Sequence, residues 1–215
     1  MRLLHTSDWH LGQALHSYDR AYEHQCFLDW LIETLVAERV DALLVAGDVF
    51  DTANPSSKAQ KQLYRFLQQA RRRAPALDIV VIAGNHDSPG RLEAPGPLLE
   101  DHGTTVIGHV LRGADGAIDI GRMVVPLHDS SGAVAAWCLA IPFLRPGDLP
   151  RVEGDTDPYL GGIALIPMIA IAAIGASQNF PFGGTTLLII VGVGLDTVKQ
   201  IESQLQQRNY EGFLK

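Results

Sequence analysis

Three places in the chain put metal-competent side chains directly after an apolar run. Asp8-Trp9-His10 follows residues 3–7, Gly47-Asp48-Val49-Phe50-Asp51 follows residues 42–46, and Gly84-Asn85-His86-Asp87 follows residues 79–83. One carboxylate after an apolar run is commonplace. Asp-x-His, Gly-Asp-x-x-Asp and Gly-Asn-His-Asp in succession are not, and together they point to a two-metal site. Carboxylate, imidazole and amide oxygen form a mixed donor set of borderline hardness, suited to Mn²⁺, Fe²⁺ or Zn²⁺ rather than to a thiolate-type site. Asp8 and His10 can both turn to one ion if the backbone twists between them. Asp48 has two oxygens and can bridge, Asn85 offers a carbonyl oxygen to a second ion, and His86 beside it is free for proton transfer to a leaving oxygen. Two ions about 3.5–4 Å apart activate water and stabilise the attacking and leaving oxygens of a phosphoester. The chemistry such a site serves is phosphoester cleavage.

For these side chains to meet, each must stand at the C-terminal end of a strand in one sheet. The segments between them are built for that. Residues 21–39 carry Phe27, Leu28, Leu31, Ile32, Leu35 and Val36 at three-and-four spacing, which predicts an amphipathic helix. Ser56 or Ser57 caps a second helix running to about Arg73, with Leu63, Phe66, Leu67 and Ala70 on its inner face. Strand, helix, strand, helix, strand predicts a parallel α/β core with right-handed crossovers. Residues 89–101, broken by Pro95 and Pro97, read as a loop with a short helix, and 104–107, 117–126 and 134–143 as shorter strands of a second layer.

Composition divides the chain. Residues up to Asp157 hold 14 Lys and Arg against 21 Asp and Glu, and the rest holds 3 of each, so the net charge of -7 and all 8 histidines belong to the first part. Residues 159–195 carry no charge, which an ordinary soluble domain rarely allows. Cys26 and Cys138, both in apolar surroundings, read as buried thiols of a reducing compartment. Residues 1–10 run into the first strand without a secretory leader, so the first part is expected in the cytosol. The acidic balance does not advertise nucleic-acid binding, and Arg71-Arg72-Arg73 reads as a solvated helix end where cations suit the dipole.

The wording around the three motifs resembles the SbcD-type nucleases among the calcineurin-like metallophosphoesterases. The phrases are His5-Thr6-Ser7-Asp8-Trp9-His10-Leu11-Gly12, Gly47-Asp48-Val49-Phe50-Asp51-Thr52 and Gly84-Asn85-His86-Asp87-Ser88-Pro89, with Ala140-Ile141-Pro142-Phe143-Leu144-Arg145-Pro146 as a softer match. The resemblance covers residues 1 to about 163. It implies Asp8, His10, Asp48 and Asn85 as metal ligands and His86 as a catalytic acid oriented by Asp87. It also implies two divalent ions, Mn²⁺ first, DNA as substrate for exonuclease and endonuclease cleavage and an SbcC-like ATPase partner, and it leaves a homodimer open. The family completes its metal shell with a Gly-His and a Gly-His-x-His motif after the Ile-Pro-Phe segment, whereas here no histidine follows His128. Gly108-His109 comes too early to stand in, and reads as a satisfied surface histidine. The family's capping domain and its segment for the ATPase partner have no counterpart either.

A second resemblance takes over at the end. Asn179-Phe180-Pro181-Phe182-Gly183-Gly184-Thr185-Thr186-Leu187-Leu188-Ile189 and Asp196-Thr197-Val198-Lys199-Gln200-Ile201-Glu202-Ser203-Gln204-Leu205 resemble the C-terminus of SecY-type translocation channel subunits, as does Arg208-Asn209-Tyr210-Glu211-Gly212-Phe213. It implies the second half of a membrane helix over 159–176, an outer loop over 177–184 and a last helix over 185–204, with membrane association through 159–205. A designed fusion, a recombination or an assembly error would each produce such a join. The expected fold class is therefore α/β, an incomplete calcineurin-like metallophosphoesterase sandwich over 1–158 followed by an apolar two-helix hairpin over 159–215. Three functions fit: a nuclease that works as it stands, a catalytically incomplete nuclease part, and a membrane hairpin with the soluble part as cargo. The incomplete nuclease is preferred, with a nucleotide phosphodiesterase or phosphatase as the alternative within the enzyme class.

Overall fold

Every residue of Ala42–Ala46 is buried, because this strand is covered on both faces. Its side chains alternate between two cores: Leu43 and Val45 point into one cluster, Ala42, Leu44 and Ala46 into another. A strand covered in this way is the middle of three layers. The computed structural model describes residues 1–100, 102–113, 116–145 and 148, and the backbone of 186–190.

In chain order the elements are β1 (Leu3–Thr6), β2 (Ala14–Leu15), β3 (Tyr18–Asp19), α1 (Ala21–Ala37), β4 (Ala42–Ala46), α2 (Ser57–Arg73), β5 (Asp78–Ile82), α3 (Pro89–Glu93), α4 (Gly96–Glu100) and β6 (Thr104–Ile107). A 3-10 turn over Ile120–Arg122, β7 (Val124–His128), β8 (Val134–Ala140) and β9 (Thr186–Ile190) follow. The first sheet runs β1-β4-β5-β6, all parallel, with His5 opposite Leu44 and Leu44 opposite Val80. The crossovers through α1 and α2 bring three strand ends to one edge. The sequence expectation of a parallel α/β core holds, with one change: residues 104–107 join this first sheet rather than the second layer. Thr104 to Ile107 pair beside β5 because Val106 and Ile107 each have an apolar layer to face, one on either side.

Helices α1 and α2 cover one face of this sheet. Ser56 caps α2, its hydroxyl accepting from Ala59 N at 3.2 Å. Leu28, Leu31 and Leu35 of α1 meet Leu63, Phe66 and Leu67 of α2 in one buried cluster with Leu43, Val45, Ile79 and Val81. Arg73 at the end of α2 pairs with Glu33 of α1, which holds the Glu33 carboxyl below its ordinary value. The other face packs on β7 and β8 through Val125, Leu127, Ala136, Cys138 and Leu139. Asp78, at the start of β5, ties the two sheets by accepting from His128 N at 2.6 Å, with His128 Nδ1 at 3.0 Å.

Three expectations are corrected. Residues 117–126 are not one strand: Ile118 makes an isolated bridge to Arg112, a 3-10 turn follows, and only Val124 onward pairs with β8. Gly121 and the polar Asp119 and Arg122 break the alternation that a strand needs. Cys138 is buried as expected, but Cys26 is exposed on the outer face of α1, between the inward-facing His24 and Leu28. The last-helix reading of 185–204 fails at its start, since Thr186–Ile190 is a strand running parallel to β8, with Cys138 opposite Leu188. Thr186, Ile189 and Ile190 are β-branched, and the open edge of β8 offers them a row of backbone partners. The remainder of the expected hairpin, 159–185 and 191–215, lies outside the described residues. Among the described residues no helix is long and apolar enough to cross a membrane.

Candidate metal centre

Parallel pairing of β1 with β4 does not stop at the strand ends. Asp8 N donates to Gly47 O at 3.2 Å, His10 N to Asp48 O at 3.0 Å and Leu11 N to Val49 O at 2.9 Å, so the two loops leave the sheet side by side. Trp9, between the two ligand-type residues, is the plug: it is buried, its indole N–H donates to Thr6 Oγ1 at 3.0 Å, and its ring meets Phe27 and Phe66 edge-on. With Trp9 pointing inward, an ordinary strand would send Asp8 and His10 outward and apart from the sheet edge. The backbone twists instead, with φ of 56° at Asp8, 45° at His10 and 45° at Asp48. Left-handed backbone costs a residue with a Cβ about 1–2 kcal/mol. Three such residues clustered at one sheet edge mark a place where side-chain direction outweighs local ease.

The twist brings the donors together. Oxygens of Asp8 and Asp48 and a ring nitrogen of His10 all lie within 4.8 Å of one another. His10 Nε2 is 4.0 Å from Asp8 Oδ1 and 3.9 Å from Asp48 Oδ2. Two ligands bonded at about 2.1 Å to one ion can be at most about 4.2 Å apart, so this set fits a single divalent cation with little adjustment. Asp48 adds a reason for a cation to sit there. Its carboxylate is buried, which pushes its pKa above the ordinary aspartate value, against the pull of the His86 N–H and of the two imidazoles. Among the described residues no Lys or Arg pairs with it, and the neutralising side chains that approach are the imidazoles of His10 and His86.

Asp48 also reaches the third loop, since its Oδ1 accepts from His86 N at 2.9 Å. Gly84 makes this approach possible: a Cβ there would lie 2.1 Å from Asp48 Oδ1 and 2.2 Å from Asp48 N. Asn85, half-buried, follows Gly84 on the loop that Asp48 holds. The rings of His10 and His86 meet edge-on with centroids 4.9 Å apart.

Two roles differ from expectation. Asp87 is expected to orient His86, but its buried carboxylate accepts from Phe50 N at 2.9 Å, Val49 N at 3.1 Å and Gly84 N at 2.9 Å, and so fastens the β5 loop to the β4 loop. Three backbone donors converge there, and none comes from the imidazole. The group beside His86 Nδ1 is the carbonyl of Asp51, at 2.8 Å. Asp51, to which the motif alone gives no role, also brings its carboxylate to 3.3 Å from His10 Nδ1, close but not aligned as a hydrogen bond. It forms a second donor group with His10 and His86 within 4.8 Å. The signal for it in the sequence is the second carboxylate of Gly-Asp-x-x-Asp. His109 is exposed on the surface, its Nδ1 2.9 Å from Glu93 Oε2, in agreement with its reading as a satisfied histidine. A cavity of about 310 Å³ opens beside the cluster, lined by Asp8, His10, Gln13, Arg20 and Glu23 among others.

The calcineurin-like phosphoesterase family matches residues 1–120. The SbcD subunit of the nuclease SbcCD from Rhodobacter capsulatus is 45% identical over 189 residues, 88% of this chain and 46% of that protein. The SbcD subunit from Escherichia coli is 44% identical over 155 residues, 69% of this chain and 34% of that protein. A separate C-terminal region is similar to the protein translocase subunit SecY of Streptomyces scabiei, 70% identical over 67 residues, 31% of this chain and 15% of that protein. The chain thus spans less than half the length of each of these curated relatives. The family match covers the three strand ends and the loops that gather Asp8, His10, Asp48 and His86, and on that match the chain belongs to the calcineurin-like phosphoesterase family.

Proposed function

We propose that residues 1–158 are the N-terminal part of a metal-dependent, DNA-cleaving phosphodiesterase of the SbcD type, and that this chain holds only part of its metal shell. The observation that carries the reading is the convergence of Asp8, His10 and Asp48 at the ends of two adjoining parallel strands. Asp8, His10 and Asp48 would hold one divalent ion, and Asp48 and Asn85 would share a second. When bound, such ions, Mn²⁺ first by family likeness, supply Lewis acidity toward the phosphoester and acidify water.

The chain's own residues then orient and move protons. A carbonyl only accepts, so the Asp51 carbonyl beside His86 Nδ1 fixes a proton on that nitrogen. The transferable proton of His86 is therefore on Nε2: the imidazolium delivers it to the leaving oxygen and is left as the neutral Nδ1–H tautomer. At His10, the Asp51 carboxylate near Nδ1 favours a proton there, which leaves the Nε2 lone pair facing Asp8 and Asp48. The cavity beside Asp8 and His10 has room for the groups flanking the scissile bond.

DNA as substrate and an SbcC-like ATPase as partner are proposed from the likeness to the SbcD subunits, together with work in the cytoplasm. The likeness of the C-terminal region to SecY favours a second element, membrane association through 159–205. The test is release of nucleotides from linear duplex DNA with Mn²⁺, with Asp48→Ala as control. Weak Mn²⁺ binding and little cleavage are expected, since no histidine after His128 is present to complete the second ion's shell. Robust cleavage that Asp48→Ala abolishes would overturn the incompleteness. Absence of any Mn²⁺ binding would overturn the metal-dependent activity proposed for this chain.

A further inference from the structure

The Ile-Pro-Phe-Leu-Arg segment that follows β8 contributes no donor to the cluster, yet it runs alongside the loop that does. Phe143 N donates to Ala83 O at 2.8 Å. Two residues on, the Arg145 guanidinium turns back into the same loop: Nη2 donates to Asp87 O at 2.9 Å and to Gly84 O at 3.2 Å, and Nη1 to Phe143 O at 3.4 Å. These two loop carbonyls bracket Asn85 and His86. We propose that Arg145 is a positioning residue, whose guanidinium fixes the peptides on either side of Asn85 and His86 and so sets where those two side chains stand relative to Asp48.

The loop is held from opposite sides by opposite charges. The Asp87 carboxylate, carried by the loop, accepts from Val49 N and Phe50 N of the β4 loop and from Gly84 N of its own, and Arg145 gathers the loop carbonyls toward the second sheet. Arg145 is itself fixed: its N donates to Asp148 Oδ2 at 2.7 Å, Asp148 O accepts from Arg112 Nη2 at 2.8 Å, and its guanidinium carbon lies 5.5 Å from the centre of the Phe143 ring. One nitrogen, Nη2, meets both loop carbonyls, while Nη1 turns back to Phe143 O and braces the guanidinium against its own segment. A lysine ammonium could reach the two carbonyls but lacks the second arm that braces it. Hydrogen bonds from a charged donor are worth more than neutral ones, so loss of this pair loosens the loop by about tenfold or more in its opening equilibrium.

Arg145 makes these bonds to the loop whether or not an ion is bound, whereas the consequence for a second ion rests on the phosphoesterase reading. The experiment separates the two. In metal-free protein, amide exchange is followed by NMR at Gly84 and His86 for wild type, Arg145→Ala and Arg145→Lys, with β4 and β5 core amides as the reference for global opening. About tenfold faster exchange at His86 relative to the core is expected in Arg145→Ala, with partial rescue in Arg145→Lys, whose ammonium can reach both carbonyls without the brace to Phe143 O. Unchanged relative exchange overturns the proposal, and failure of both variants to fold does too, because Arg145 would then serve the fold and not the loop. In a second arm diamagnetic Zn²⁺ is added and the ring shifts of His10 and His86, which respond to local contact, are followed separately. The concentration needed at His86 should rise about tenfold in Arg145→Ala with that at His10 unchanged. Equal effects at both rings would overturn the assignment of Arg145 to the Asn85 and His86 side of the site. Wild-type protein that shows no shift at either ring removes the metal reading and leaves the exchange result standing.

Discussion

The Asp48 carboxylate accepts the backbone N–H of His86 at 2.9 Å. One oxygen of the Asp48 carboxylate is thus already used to hold the loop that carries Asn85 and His86. The two halves of the site cannot shift independently, and the first prediction follows from how closely they meet.

Gly84→Ala should disrupt the site and the fold together. Its Cβ would fall 2.1 Å from Asp48 Oδ1 and 2.2 Å from the Asp48 backbone nitrogen, and backbone cannot step aside as a flexible side chain can. Overpacking of this kind costs about 1–3 kcal/mol. A urea midpoint lowered accordingly, with loss of Mn²⁺ affinity, is the expected result; an unchanged midpoint would contradict the closeness of the two loops.

Asp87→Asn should destabilise without removing any group from the donor cluster. The carboxylate accepts three backbone N–H bonds, and an amide turns an NH₂ toward at least one of those donors. The loss should be about 3 kcal/mol, the scale of one or two charge-assisted bonds left unmade. Chemical denaturation measures it, and a cost below about 0.5 kcal/mol would show that the clamp is dispensable.

Glu93 should make part of the stability depend on acid. Burial raises its carboxyl pKa, but the His109 ring and the N–H groups of Gly108 and His109, at 2.9, 2.7 and 3.1 Å, outweigh this and bring it below the ordinary glutamate value. A folded pKa below the unfolded one contributes stability that is present above about pH 4.3 and lost as pH falls through the folded value. The stability gap between wild type and Glu93→Gln should therefore be widest near neutral pH and close in acid. Urea melts across that range check it, and a gap that stays constant with pH would contradict it.

The two thiols should separate cleanly. Cys138 is buried between the sheets and burial pushes its pKa up to about 12, so at pH 8 about one molecule in ten thousand carries the thiolate. Cys26 is exposed on α1. A disulfide reagent should titrate one thiol in the native protein and the second only after denaturation. Two fast thiols would mean that the face between the sheets opens.

Much of the core was legible because its signals are local. The α2 cap at Ser56 and its apolar stripe are written within 18 residues, and the three strand ends announce themselves by type. The relation of Asp87 to Val49 and Phe50, 38 and 37 residues away, is not written anywhere in the spacing. The family resemblance implies Asp87 as the orienting group of His86, while the structure spends its carboxylate on backbone donors that no sequence pattern displays. Asp51 was hidden for a similar reason, since its carbonyl acts as much as its side chain. Cys26 has apolar neighbours in sequence, but the helical turn faces them elsewhere. At Thr186–Ile190 the composition suits a lipid-facing helix and a strand about equally, and the open edge of β8 decides.

The order of strands in the first sheet, β1-β4-β5-β6, is also their order in the chain. Each new strand emerging from the ribosome finds its partner already made, and residues 8–87 of the centre can gather before the second sheet has been synthesised. Until β7 and β8 arrive, though, Leu44, Val80, Ile82 and Ile107 face water as one apolar surface. Synthesis in this order gathers the three strand ends before their sheet has its back covered, and an uncovered apolar face of that kind is what makes a growing chain prone to stick to its neighbours.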